Sequence, residues 1–191
     1  MADEQQIPTV AGGATYRSLA QQKETARQYK EHYPWADLAA LEASLKVVSV
    51  YTAMMAALAR TFNSIGVWKS FGRYSVLRTL FLGDGEKMNQ AQLSKVLNVT
   101  SPNISYLVDS LEVEGLVERR PGEVDRRSTD VALTPAGREL CEKLVPAAVQ
   151  FSSDLLAGFS VEEKEQLNAF LERIQASAEA LHAVEASAAI R

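Results

Sequence analysis

The segment TSPNISY, from Thr100 to Tyr106, places small polar side chains at the start of a predicted helix. Thr100 fits the N-cap position, and Pro102 fits the first helical turn. Hydroxyl and amide groups at a helix N-terminus donate hydrogen bonds to phosphates, and an asparagine amide also pairs with adenine in a major groove. The residues that we expect to make such contacts are Thr100, Ser101, Pro102, Asn103, Ser105 and Tyr106. Helix capping is the alternative interpretation, and it suffices for Thr100 but not for the whole polar set.

A turn with two adjacent arginines follows further along the chain. Residues 116–119 and 129–133 alternate between apolar and polar side chains, as strands do, and the turn between them contains Asp125, Arg126 and Arg127. The tip of a two-stranded hairpin is narrow enough to enter a minor groove, where negative potential attracts arginine. Asp125 is close enough in sequence to brace one of these arginines. The alternative is a solvated charged turn, which is common in any protein.

Two short helices must position these groups. Asn89 and Gln92 have the spacing of a capping box, and Asn98 stands where a tight turn needs a left-handed residue. The buried stripe predicted for the second helix is Ile104, Leu107, Val108 and Leu111. Two short helices joined by such a turn form a helix-turn-helix, and a hairpin directly after it is a wing.

Long amphipathic helices are predicted on both sides of this module. From Leu38 to Phe62, apolar residues recur at alternating spacings of three and four, which predicts a helix roughly 40 Å long. Thr134 and Pro135 begin a second helix, and a capping box at Ser160 begins a third, with an apolar face from Leu167 to Leu181. A small domain does not easily cover stripes of this length, so we predict dimerisation helices. A central core helix is the alternative for the first of them.

Composition limits the class of protein. The chain has 191 residues, of which 47% are hydrophobic, as expected for one globular domain with additional helices. No apolar run reaches the length of a membrane span, and the N-terminus lacks the basic start and apolar core of a signal peptide, so we expect a cytoplasmic protein with no membrane partner. The single Cys141 fits a buried structural thiol better than a redox sensor, since no second cysteine exists to resolve an oxidised form. His32 and His182 lie far apart in the sequence, so we predict no metal site and no cofactor.

The same sequence argues against an enzyme. It contains no cluster of metal ligands, no phosphate-binding glycine loop and no nucleophile–base pair. The formal net charge is −4, and the segment from Asn89 to Leu133 carries five basic and seven acidic residues. A module with this charge is expected to bind nucleic acid weakly outside a specific site, with a modest salt dependence.

The run from Gln90 to Gly137 resembles the winged helix-turn-helix of MarR-type transcriptional regulators. The similarity lies in the helix pair and in the segments LVDSLEVEGLVERR, DRRS and LTPAGREL, and with the flanking helices it extends over residues 38–182. It implies a symmetric homodimer that binds pseudo-palindromic double-stranded DNA, with Arg127 in the minor groove. It also implies that small aromatic or phenolic effectors bind between the dimerisation and DNA-binding regions. Residues 1–36 extend beyond the usual start of the family and match no motif.

Aromatic and methionine side chains cluster where the long helix meets the helix-turn-helix. The candidate lining of an effector pocket is Tyr51, Met55, Phe62, Trp68, Phe71, Arg73 and Tyr74. Arg73 or Lys69 would then meet an anionic ligand. The alternative is plain core, because aromatic residues at helical spacing are usually buried for packing.

The sequence therefore predicts a mainly α fold, a winged helix-turn-helix with a small antiparallel β-hairpin and long dimerisation helices at both ends. Its predicted divisions are an N-terminal extension (1–36), a dimerisation helix (37–66), a DNA-binding region (67–133) and C-terminal helices (134–191). We expect a sequence-specific DNA-binding regulator, by default a repressor relieved by a small aromatic or phenolic effector. A winged helix used only for protein interaction is the alternative, but it would not need the polar helix tip and the wing arginines together.

Overall fold

The computed structural model describes residues 19–65, 70–83, 87–121 and 129–188. The elements in chain order are α1 (Leu19–His32), α2 (Leu38–Ser64), α3 (Phe71–Leu82), β1 (Lys87–Asn89), α4 (Gln90–Leu97), α5 (Ser101–Val113), β2 (Val117–Pro121), β3 (Thr129–Leu133), α6 (Pro135–Leu155) and α7 (Val161–Ala188). The predicted mainly helical class with a winged helix-turn-helix is confirmed. The described chain forms two compact units that divide after Ala148, within α6.

The core of the first unit is built where α3, α4, α5 and the sheet converge. Apolar residues at helical spacing in α3 and α5 meet the inward-facing residues of β2 and β3, as their sequence periodicity predicts. The core consists of Val76, Leu77, Leu80, Leu93, Ile104, Val108, Leu111, Val117, Val131, Leu133 and Cys141. Cys141 is 1% exposed, so it has the buried position expected of a structural thiol.

Helix α2 is buried only near its C-terminal end. Its N-cap Asp37 accepts hydrogen bonds from the backbone N–H groups of Ala39 and Ala40, at 2.9 and 3.2 Å. The buried residues of α2 are Leu58, Ala59 and Phe62. Large apolar side chains earlier in the helix stay exposed, namely Val47, Val48, Val50 and Tyr51. The interpretation of α2 as a plain core helix therefore holds for its last turns alone.

By length and composition, α2 is also a helix that could cross a membrane. The expectation that no apolar segment reaches the length of a membrane span was therefore wrong by length and composition, because α2 carries only a few polar side chains along a long apolar stretch. Core helices of soluble proteins reach the same length and hydropathy, so these two properties alone do not establish a membrane span.

The sheet has three strands rather than the two that were predicted. The strands are antiparallel in the order β1-β3-β2, with Val117 opposite Leu133 and Arg119 opposite Val131. Strand β1 pairs with the other edge of β3, and its Met88 also lies opposite Val131. Three residues are too few to show an alternating pattern, and β1 exists because β3 offers an open edge.

The segment LTPAG fastens the start of α6 to the start of the wing. The Thr134 hydroxyl donates to the carbonyl of Gly115 (2.6 Å) and accepts from the N–H of Gly137 (3.1 Å). A Cβ atom on Gly137 would lie 1.9 Å from the carbonyl oxygen of Leu116. Only glycine permits this close approach of two backbones.

In the second unit, α7 begins as the sequence predicts. The Ser160 hydroxyl accepts from the N–H of Glu163 (3.2 Å), and the Glu163 carboxylate accepts from the N–H of Ser160 (2.8 Å). The large apolar side chains of α7 remain between 45% and 69% exposed, namely Phe170, Leu171, Ile174 and Leu181. Exposed apolar surface of this extent is uncommon on a soluble monomer.

Candidate nucleic-acid interface

Helix α5 is divided sharply between a buried and an exposed side. Ile104, Val108 and Leu111 have no exposed surface, so they fix the helix in the core. The opposite side carries the polar tip, in which Tyr106 is 74% exposed. Five of the six predicted contact residues are exposed and Ser105 is half-buried; the exposed ones are Thr100, Ser101, Pro102, Asn103 and Tyr106.

The start of α5 does not use Thr100 as predicted. Thr100 occupies the N-cap position with an extended backbone, but its side chain makes no capping hydrogen bond. A cap normally accepts from the second or third helical N–H, and Pro102, the second residue of α5, has no N–H. Capping therefore does not account for the Thr100 hydroxyl, which lies at the exposed helix tip.

The turn before α5 is set by local hydrogen bonds. Asn89 and Gln92 form the predicted capping box at the start of α4, with both bonds 2.9 Å long. Asn98 has φ 50° and ψ 47°, the predicted left-handed conformation. The Ser94 hydroxyl donates to the carbonyl of Val99 at 2.6 Å and closes the turn. These contacts aim the polar tip of α5 away from the core.

The wing strands are present, and the predicted wing tip lies outside the described residues. Strand β2 ends at Pro121, which is paired with Thr129 at the start of β3. The residues between them include Asp125, Arg126 and Arg127. Their proposed contact with DNA remains a prediction.

Arg119, to which the sequence assigned no site, binds the C-terminal half of α5. Arg119 of β2 donates to Asp109 at 2.5 Å and also to Glu112. The hydrogen bond with Asp109, followed by the charge of Glu112, raises the pKa of Arg119 above its ordinary value although partial burial opposes this. Only the spacing of Asp109 and Glu112, one helical turn apart, could have pointed to a shared cation.

Arg73 of α3 binds the other flank of the same helix. Its guanidinium donates to Ser110 at 2.8 Å and to the Glu114 carboxylate at 2.7 Å, with a second contact to that carboxylate. The Arg73 side chain is 12% exposed. The sequence predicted that Arg73 or Lys69 would meet an anionic ligand, but the charge of Arg73 is already paired with Glu114.

The candidate effector residues separate into a buried cluster and an exposed remainder. The ring centroids of Phe62 and Tyr74 are 4.9 Å apart, and those of Phe71 and Tyr74 are 6.1 Å apart. Burial raises the pKa of Tyr74, while the neighbouring Arg78 guanidinium, 5.7 Å from the ring centroid, opposes the shift. Phe62 and Tyr74 are almost fully buried, as in the plain-core alternative.

The remaining candidates do not join that cluster as a group. Tyr51 is half exposed and lies three turns before Phe62 on α2, about 16 Å along the axis. Met55 is half-buried between them. Trp68 and Lys69 lie outside the described residues.

A second aromatic site, which the sequence analysis missed, lies at the junction of α1 and α2. Tyr29, Tyr33 and Trp35 are 46%, 49% and 84% exposed, and they border a cleft of about 410 Å³. The remaining lining is Ala36, Asp37, Ala40, Leu41 and Ser44. Tyr29 lies in the last turn of α1 and Tyr33 directly follows this helix, and their rings stack with centroids 6.5 Å apart. In the described part of the chain, no three His, Cys, Asp or Glu side chains are grouped to hold a metal ion.

Comparison with known proteins places this architecture in context. Residues 74–128 match the model of the MarR family. The chain is 28% identical over 138 residues to the HTH-type transcriptional repressor YetL of Bacillus subtilis, covering 72% of this chain and 81% of that protein.

Two solved structures share the fold. The S. aureus MepR–DNA complex aligns with a TM-score of 0.65 and 23% identity, covering 71% of this chain and 97% of MepR. BpsR of Bordetella bronchiseptica, whose DNA binding is regulated by 6-hydroxynicotinic acid, aligns with a TM-score of 0.59 and 22% identity, covering 68% of this chain and 89% of BpsR. At these identities the likeness concerns the fold alone.

Proposed function

We propose that the chain is a winged-helix, DNA-binding transcriptional regulator of the MarR family, and that it is a cytoplasmic repressor that acts as a homodimer on a pseudo-palindromic operator. Repression is supported by YetL, which is named a repressor. The predicted division into an N-terminal extension, a dimerisation helix, a DNA-binding region and C-terminal helices is part of this proposal.

The observation that carries the proposal is the exposed polar tip of α5. A helix with its side chains is about 10–12 Å wide, which matches the width of a major groove, about 12 Å. We assign base contacts to Asn103 and Tyr106, because both are exposed and they lie about one turn apart on α5. We assign phosphate contacts to the backbone N–H groups of the first turn and to the residues around Asn103 and Tyr106, namely Thr100, Ser101, Pro102 and Ser105.

The wing supplies the second proposed contact. Antiparallel pairing of β2 and β3 up to Pro121 and Thr129 supports a hairpin that carries Arg126 and Arg127 at its end. We assign Arg127 to the minor groove, where it would sense charge and groove width more than base sequence. Asp125 would brace one of the two arginines.

Dimerisation is supported by apolar surface that a monomer leaves in water. The exposed stretch of α2 around Val48 and Tyr51, and the exposed face of α7 around Phe170 and Ile174, are both larger than scattered single residues. Two copies related by a two-fold axis would place their α5 helices about 34 Å apart, one turn of DNA.

A small-molecule effector is the last part of the proposed function. We propose that a small aromatic acid or phenol binds a dimer state with wrongly spaced α5 helices and so weakens operator binding. The regulation of BpsR by a hydroxylated aromatic acid supports this ligand class. Among the candidate aromatic residues that the structure describes, Phe71 and Tyr51 are the more exposed, so they are the first to test by substitution.

Selection of bound duplexes from a random pool tests the function directly. The wild-type chain should enrich a pseudo-palindrome, and the Asn103→Ala/Tyr106→Ala variant should not enrich the same sequence. A reporter placed behind that sequence should then be repressed by the chain. Failure to enrich any sequence would favour the protein-interaction alternative, and activation of the reporter would overturn repression alone. If no aromatic acid or phenol changes the melting temperature or the affinity for the operator, the chain is a constitutive regulator.

A further inference from the structure

We propose that Arg119 neutralises the acidic flank of α5 and thereby allows this helix to approach DNA. The inference rests on the proposed contact of α5 with the major groove. It assigns to Arg119 a positioning and charge-balancing role, distinct from the wing-tip arginines, which would touch DNA themselves.

The geometry shows why one arginine serves two carboxylates. Asp109 and Glu112 lie three residues apart on α5, so their side chains emerge one turn apart on one flank. Arg119 lies on β2, opposite Val131 of β3, and its two terminal nitrogens bind the two carboxylates separately. The Arg119 side chain is 26% exposed, so its charge is directed at α5 rather than at solvent.

Asp109 is the carboxylate that matters for DNA. At 100° per residue, it falls on the same exposed side of α5 as Tyr106, and its own side chain is 59% exposed. Six residues separate it from Asn103, about 9 Å along the axis. This distance is close to the Debye length of about 8 Å at physiological salt, so an unpaired carboxylate there would repel the groove phosphates.

Arg73 completes the pattern on the opposite flank, because it pairs with Glu114, the C-cap residue of α5. In the described structure each acid of α5 and of its C-cap therefore has a guanidinium partner. The balance explains how an acidic module can contain a DNA-contacting helix. Arg73 and Arg119 form ion pairs within the protein, so we do not assign them to contacts with DNA phosphates.

Charge balance and simple structural support predict opposite results for one substitution. If Arg119 acts by charge, Asp109→Asn removes a negative charge from the groove face and should strengthen DNA binding. If the ion pair only holds β2 against α5, the same substitution should weaken binding or leave it unchanged.

The test measures binding of a random-sequence duplex of about 30 base pairs by fluorescence anisotropy over a salt series. Arg119→Met keeps the aliphatic stem and should weaken binding on the order of ten-fold. Asp109→Asn should strengthen binding several-fold and steepen the salt dependence. The double variant Arg119→Met/Asp109→Asn should return to within about two-fold of wild type, because the local charge is restored.

Arg120→Met is the matched control. Arg120 is the next residue of the same strand and its ion pair is with Glu118 of β2, so its loss changes the net charge equally without touching α5. An effect of Arg120→Met as large as that of Arg119→Met would reduce the proposal to net charge and overturn it. Weaker binding by Asp109→Asn, or no recovery in the double variant, would also overturn it.

A wild-type chain that binds neither this duplex nor any selected sequence would remove the proposed function together with the inference. A wild-type chain that binds normally, while Arg119→Met and Asp109→Asn match it, would remove the inference alone. Melting temperatures of all variants should stay close to wild type, since surface ion pairs contribute little to stability.

Discussion

Asn103 lies on the first turn of an exposed helix face, where an amide can meet a base edge. We expect Asn103→Ala to change the preference at particular base pairs, at a cost on the order of 1–3 kcal/mol there. Competition binding with single-base variants of the selected operator measures this. Stability should not change, because the side chain is exposed. An equal loss of affinity for all sequences would instead make Asn103 a phosphate contact.

Arg127 is expected to behave differently at the same scale. A minor-groove arginine contributes charge, so Arg127→Ala should weaken binding to most sequences and flatten the salt dependence by roughly one unit per wing. The slope of affinity against salt concentration measures this, with Asn103→Ala as the control whose slope stays unchanged. Equal affinity and slope for wild type and Arg127→Ala, with the dimer intact, would establish an ordinary solvated turn.

At the scale of elements, the junction between the wing and α6 depends on one glycine. Gly137→Ala places a methyl group 1.9 Å from the carbonyl oxygen of Leu116, a backbone atom that cannot rotate away. We expect α6 to shift from β2 and the free energy of unfolding to fall on the order of 2–3 kcal/mol. Denaturant unfolding measures the loss.

Gly158→Ala is the matched control for that substitution. A Cβ atom on Gly158 would meet nothing within 4 Å, so the same chemical change should alter stability by less than about 1 kcal/mol, with restriction of the unfolded chain favouring alanine. Equal unfolding midpoints for the two variants would show that the backbones of Gly137 and Leu116 lie further apart in solution.

At the scale of the whole molecule, the exposed apolar helices predict a dimer. Light scattering should give a mass near twice 20.9 kDa at micromolar concentration. Ile174→Asp places a charge in the apolar face of α7 and should shift the population towards monomer. Its helicity should persist, because Ile174 is half exposed within the chain.

Ala176→Asp introduces the same charge on the opposite side of α7, 200° away, and should leave the mass unchanged. A wild-type chain that scatters as a stable monomer would refute the dimer. If both variants dissociate equally, helix propensity rather than the apolar face would be responsible.

Much of the secondary structure of this protein could be predicted from local patterns in its sequence. The Asn89–Gln92 capping box, the left-handed Asn98 and the start of α7 at Ser160 depend on groups within a few residues of one another. The buried stripe of α5 follows from helical periodicity alone. These features specify the helix-turn-helix and the polar tip of α5 before any tertiary contact is known.

Tertiary structure decided what each charge and each short strand does. Arg73 reaches Glu114 across 41 positions of sequence, and Arg119 turns back to Asp109 and Glu112 from a different element. Strand β1 exists only because β3 passes beside it. Gly137 is required only because the backbone of Leu116 passes beside it. The sequence determined which residues are charged, apolar or free to turn, because those are local properties. The partner of each charge, and the backbone that each glycine meets, are set by the packing of elements that are distant along the chain.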